Sequence, residues 1–193
     1  MGVKKTMYIS KDIVRSIETK YNIPKLLFLE QPISDEEMIM LRQSQKYGRA
    51  HDITFFITDN QSRIAVIRKH FHPTGVFRAP SGGLEPGEDF ETGVLREAYE
   101  ETGLSIRLEE YLLRINVHFK NQKLMVPWTT HIFSAKVDKG TIAPIDTKEI
   151  ADAKWITVPE LQGDVRSLLL ATGKGFFQYR VKITDTALAL LGC

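Results

Sequence analysis

Three acids near the middle of the chain, Glu97, Glu100 and Glu101, have the types and spacing to do chemistry together. From Asp89 the sequence reads as one helix, with Glu88, Asp89 and Glu91 at its start, where the dipole favours negative charge. Gly103 supplies a left-handed stop. On that helix the three glutamates stand at i, i+3 and i+4, within a wedge of about 100°. Like charges one turn apart repel, and negative charge at a helix C-terminus opposes the macrodipole. A hard divalent cation such as Mg2+, which takes oxygen ligands, would offset both costs. A solvated acidic face explains the charge equally well, so the carboxylates alone leave the two readings open.

The surrounding residues separate them. Gly82, five residues, Glu88, seven residues, then Arg96-Glu97-Ala98-Tyr99-Glu100-Glu101-Thr102-Gly103-Leu104 resembles the Nudix hydrolase box. Ala98 departs from it, since the pattern prefers a larger aliphatic residue there. The resemblance implies an α/β fold, an α/β/α sandwich around a mixed β-sheet, with the box as a loop-helix-loop beside it. It implies hydrolysis of a nucleoside diphosphate linked to another group, using Mg2+ or Mn2+. Carried over by position, Glu97, Glu100 and Glu101 become metal-binding and catalytic carboxylates, and Gly82 offers its backbone carbonyl to the metal. Arg96 and Glu88 orient the carboxylates. Water attacks phosphorus while metal neutralises the non-bridging oxygens.

The 193 residues are 42% apolar, enough for one domain with a real core. Net charge is +2, but it is unevenly spread. Removing the box's seven acids and one base from 24 acids and 26 bases leaves the rest at about +8. An acidic centre in a basic surround suits a polyphosphate ligand, although scattered surface lysines give the same total. Cys193 is the one cysteine, so neither an internal disulfide nor a thiolate zinc site is expected. No run suggests a signal peptide or a membrane span, and a reducing cytoplasm is the expected compartment.

The box needs elements to position it. Residues 1–48 read as a partly helical N-terminal extension and 49–193 as the Nudix domain. The extension is expected to hold a helix over 12–21 capped by Ser10, an extended segment over 25–29, and a second helix opened by the Ser34-x-x-Glu37 capping box. Met38, Leu41 and Ile39 would face inward. These helices would cover the sheet or meet a second subunit in a homodimer. Residues 52–58 and 62–69 read as strands. Residues 105–118 and 124–137 form a hairpin, with Pro127 marking an edge or bulge. Residues 164–171 read as helical, 176–183 as extended, and Thr184-Asp185 as the cap of a short last helix.

The approach to the box is the most basic stretch, and Arg68 and Arg78 in it are candidate substrate-binding residues. Beside them His70 and His72 read as ordinary loop polarity. The family's glycine run before the box is similar to Ala79-Pro80-Ser81-Gly82-Gly83, with Ser81 in place of a smaller residue. Trp128 is either a stacking platform for a base or core packing. Residues 141–161 resemble the family's acidic loop and tryptophan strand, which makes Glu149 the candidate general base, with Asp146 in reserve, and Trp155 a core residue. The reading is a Mg2+-dependent pyrophosphohydrolase, leaning to ADP-ribose-like nucleotide sugars. One alternative is a catalytically silent sensing or scaffold module, although all box carboxylates are kept. Another is an isoprenoid diphosphate isomerase, for which Cys193 is poorly placed. No DNA-reading motif and no specific nucleic-acid partner are evident.

Overall fold

The computed structural model describes residues 8–193, so the first seven residues of the expected extension lie outside the described residues. In chain order the elements are α1 (Lys11–Tyr21), β1 (Lys25–Pro32), α2 (Asp35–Ser44), β2 (His51–Thr58), β3 (Ile64–Lys69), β4 (Ser81–Gly82), α3 (Phe90–Thr102), β5 (Ser105–Lys120), β6 (Met125–Lys139) and β7 (Ile150–Ile156). A short α4 (Val158–Glu160), a π-turn, α5 (Arg166–Ala171) and α6 (Gly175–Leu191) follow.

Among the described residues the strands form one seven-stranded mixed sheet in the order β1-β5-β6-β2-β3-β7, with the short β4 pairing β2. The expected hairpin is β5 and β6, antiparallel, closed by Asn121, whose Oδ1 accepts from the amides of Lys123 and Leu124. Parallel pairings bring β1 onto β5 and β2 onto β6. The pairing with β2 begins at Thr129, so at Pro127 strand β6 is flanked on one side only, where a missing amide costs nothing.

Side chains alternate across the sheet, which gives a core on each face. On β2, Ile53, Phe55 and Ile57 pack with Ile17, Val94 and Ala98 under α1 and α3. Phe56 points the other way, into a cluster with Met38, Leu41, Phe177, Val181 and Leu188 of α2 and α6. The expected α/β/α sandwich is therefore present. The extension contributes to every layer: α1 to one face, α2 to the other, and β1 to the sheet.

Four expectations need correction. Residues 176–183 are not extended, and Thr184-Asp185 does not cap a helix, because α6 runs unbroken from Gly175 to Leu191. Phe177, Val181, Thr184 and Leu188 are buried at helical spacing, and that stripe overrides the β-propensity of the aromatic run. Its N-terminus has no local side-chain cap. Instead Glu37, 5% exposed, accepts from the amides of Gly175 at 3.2 Å and Phe176 at 2.7 Å while also closing the capping box of α2. One carboxylate thus satisfies orphan donors at two helix starts. Ile39 is not inward but 59% exposed, since the buried face of α2 is already filled by Met38 and Leu41. Trp155 is only half-buried, against the α1/α3 core, with the Arg63 guanidinium 6.0 Å from its ring centroid.

Burial pushes the histidines of the core well down, His51 to about 4 and His131, which bonds Tyr111, to about 3. The fold keeps them neutral while the unfolded chain protonates them below about 6.5. They therefore contribute stability that is full above that pH and is lost as pH falls toward 4, at up to about 1.4 kcal/mol per pH unit each. Glu101, raised by its own burial, acts in the opposite sense over part of that window. The histidine share is accordingly read as a difference. In urea unfolding at pH 7, 6 and 5, His131→Gln should lose less stability on acidification than the parent chain, and parallel profiles would contradict this.

Candidate active site

The box begins where β4 pairs with Ile53 and Thr54 of β2, which fixes Ser81 and Gly82 at the sheet. Helix α3 follows, capped by Asp89 and stopped by Gly103 at φ +72°. Arg96 organises its acids. It grips Glu88 bidentately at 2.8 and 2.9 Å, and its Nη1 lies 3.1 Å from Glu97 Oε1 and 3.0 Å from Glu100 Oε2. Its Nη2 also donates to the carbonyl of Gly83 at 3.3 Å. Loop and helix are thereby tied together, and the hydrogen bonds from Arg96 hold Glu88 below the usual carboxylate range. Glu97 is raised instead, by burial first and despite Arg96.

Glu101 faces elsewhere. It is 4% exposed, accepts from the Ser81 amide at 2.7 Å, and lies 3.7 Å from Lys69 Nζ and 3.9 Å from Arg78 Nη2. Burial drives it up to about 7 even with those cations near it.

Glu97 borders a cavity of about 390 Å³, a size suited to a small ligand, whereas Glu100 and Glu101 are not part of its lining. Gly82, Glu97 and Glu149 line it, with Lys69, Arg78 and Arg180 supplying positive charge. Arg78 is 6% exposed and spends Nη1 on the Ala79 carbonyl and Ser81 Oγ. Its own burial, and then Arg180, lower it to about 10. Glu149 pairs with Lys69, while Asp146 accepts from the amides of Lys148 and Glu149 and so shapes the loop. Trp128 is both core and lining: 7% exposed, it donates from Nε1 to Asp52 Oδ1 at 2.8 Å. Arg68 is half-buried on β3 and does not line the cavity, whereas its neighbour Lys69 does. His70 meets the Thr147 carbonyl, and His72 is buried in the wall rather than lying in an open loop.

Asp52 and Arg180 escaped the reading of the sequence. Burial opposes the charge on Asp52, yet Arg180 at 3.1 Å, Thr130 and Trp128 together hold it below its ordinary range. Arg180 also reaches Thr54 and Ser81. The signal available was an Asp inside an apolar strand, since such a charge requires a partner. Nothing local pointed to Arg180.

The donors present are of the kind a divalent ion takes. Among the described residues no three acid or histidine side chains converge as they stand. Glu97 and Glu100 nevertheless already share one cationic nitrogen, and a Cβ at position 82 would lie 2.0 Å from Glu97 Oε2. Oxygen-only donors around a side-chain-free backbone suit a hard cation.

A family model described as the NUDIX domain matches residues 48–175. The chain belongs to the NUDIX family. Among curated relatives, the NAD-capped RNA hydrolase NudC of Photobacterium profundum is 27% identical over 132 residues, covering 67% of this chain and 47% of that protein. The protein of the same name from Chromobacterium violaceum is 34% identical over 94 residues, covering 49% and 32%. The NUDIX chain thus spans less than half the length of these relatives. A solved MutT protein from Methanosarcina mazei superposes with a TM-score of 0.47 at 17% identity, covering 71% of this chain and 93% of that one.

Two glycines separate site from scaffold. At Gly82 the nearest atoms to an added methyl are those of the Glu97 side chain, from Oε2 at 2.0 Å to Cγ at 2.4 Å, but at Gly103 the methyl meets the Ala143 carbonyl at 2.3 Å with φ positive. Gly82→Ala should unfold within about 1 kcal/mol of the parent yet weaken Mg2+ uptake in calorimetry. Gly103→Ala should lose on the order of 1–3 kcal/mol in denaturant titration. Equal effects on both quantities would contradict the division.

Proposed function

We propose that this chain is a Mg2+- or Mn2+-dependent pyrophosphohydrolase that cleaves the diphosphate linkage of a nucleoside diphosphate joined to another group. In this reading residues 49–193 are the hydrolase domain, 1–48 its extension, and the cytoplasm its compartment. The observation that carries the proposal is the meeting, at one cavity, of Gly82 and Glu97 of the box with Glu149 and the cations Lys69, Arg78 and Arg180.

Glu97, Glu100, Glu101 and the Gly82 carbonyl are the groups that would hold the metal. Such an ion, when bound, would neutralise phosphate oxygens and acidify water. The chain's own residues do the rest. Lys69, Arg78 and Arg180 put three positive charges on the cavity wall, where charge building up on the diphosphate is stabilised. Arg96, through Glu88 and the Gly83 carbonyl, keeps the loop fixed against the helix so that the acids are pre-positioned. A carboxylate oxygen of Glu149, or of Glu100, receives the proton of the attacking water.

The relatives are named for hydrolysis of NAD-capped RNA; the two nucleotides of NAD are joined by a diphosphate, and ADP-ribose presents the same linkage. Within that class we favour ADP-ribose-like substrates, with NAD-type dinucleotides beside them. An activity panel of ADP-ribose, NAD, NAD-capped RNA, a UDP-sugar and nucleoside triphosphates with Mg2+ tests this, release of AMP being the expected result. Glu101→Gln should lower kcat roughly 100- to 1,000-fold by removing charge stabilisation. No turnover of any diphosphate by metal-loaded protein would remove the enzyme reading, and unchanged rates in Glu101→Gln would move the metal elsewhere.

A further inference from the structure

The cavity has a second wall that the diphosphate chemistry does not use. Met40 of α2 and Phe71, after β3, line it while 41% and 60% exposed, and Phe176 at the start of α6 lines it half-buried. Large apolar side chains held open to solvent inside a concavity are unusual unless something covers them. Two of them are backed by other rings. Phe71 stands edge-on to His72 at 4.8 Å, and His72 edge-on to Phe177 at 5.0 Å. Phe176 is likewise edge-on to Phe119 at 5.4 Å. Such tilted contacts fix the rings while leaving the faces of the outermost ones free.

The neighbouring chemistry identifies the occupant. The apolar wall shares one cavity with the box residues Gly82 and Glu97 and with Lys69, Arg78 and Arg180, so on the reading proposed above the group that covers it is the one joined to the diphosphate. A planar apolar face joined to phosphate describes a nucleotide, and stacking serves any base because each has a π-face. Met40 and Phe176 lie outside residues 48–175 and Phe71 within them, so this wall joins both flanks to the matched domain. Glu37 clasps the two flanks together through the Gly175 and Phe176 amides.

We propose that Met40, Phe71 and Phe176 form the subsite that takes the nucleobase, so that the N- and C-terminal flanks, locked by Glu37, set substrate preference. The inference rests on the nucleotide substrate proposed above. Its test avoids turnover by comparing AMP with ribose 5-phosphate, which share sugar and phosphate and differ by the base alone. The chain has two tryptophans, and Trp155→Phe leaves Trp128 of the cavity lining as the reporter. In fluorescence titration of that chain, AMP should bind about tenfold or more tightly than ribose 5-phosphate. Phe176→Ala and, independently, the surface change Met40→Ala should each shrink the difference to about twofold. Phe28→Ala, exposed on β1, should leave it intact.

Equal affinities in the parent chain, no binding of either compound, or an undiminished gap in both variants would overturn the subsite. Hydrolysis is read separately in the substrate panel. A chain that cleaves diphosphates without preferring AMP refutes the base wall alone, and one that prefers AMP without cleaving anything refutes the hydrolase reading alone.

Discussion

Negative charge held in a place that resists it is the constraint around which this molecule is arranged. Glu97 and Glu101 sit at the C-terminal end of α3, largely out of water, where both burial and the helix dipole favour their neutral forms. What keeps them there is specific. Arg96 binds Glu97 and Glu100 from one side, the Ser81 amide and two cations approach Glu101 from the other, and Gly82 makes room by lacking a side chain. A helix evolved only for stability would carry bases at this end.

The basic surround follows from the same constraint. Arg180 is near enough to disfavour the charge of Arg78, Ser81 Oγ accepts from both, and Asp52 pairs with Arg180. Asp52 accepts from Trp128, Thr130 and Arg180 together, so strand β6 and helix α6 are pinned to β2 through one carboxylate. A cavity floor built this way is stiff, which favours pre-positioned charge over charge that must reorganise.

How much of this was legible in the sequence depended on whether the signal was local. The caps of α1 and α2 each lie within a few residues of what they cap, and Ser10 and Ser34 were readable for that reason. The hairpin of β5 and β6 was legible as two adjacent segments, 105–118 and 124–137, and the family resemblance grouped Glu88, Arg96 and the three box glutamates. Helix α6 was misread because its aromatic and β-branched start has strand propensity, while its true cap, Glu37, belongs to α2. Arg180 was invisible for a related reason, since its role is set by Asp52, 128 residues earlier. Arg68 and Lys69 looked interchangeable in a basic run, and only their placement on β3 distinguished them.

The clasp made by Glu37 also orders events in time. Its carboxylate meets the Gly175 amide 138 residues further along the chain, and β1 likewise awaits β5. At roughly 5–20 residues per second a ribosome needs on the order of ten seconds to make that interval. Until β5 emerges the edge of β1 lacks its native partner, and until α6 emerges the Glu37 carboxylate lacks its two amides. Phe28 and Leu26 remain exposed on β1 even after folding ends. A nascent chain of this design is therefore most vulnerable to self-association early, and chaperone capture there would protect it more than at any later stage.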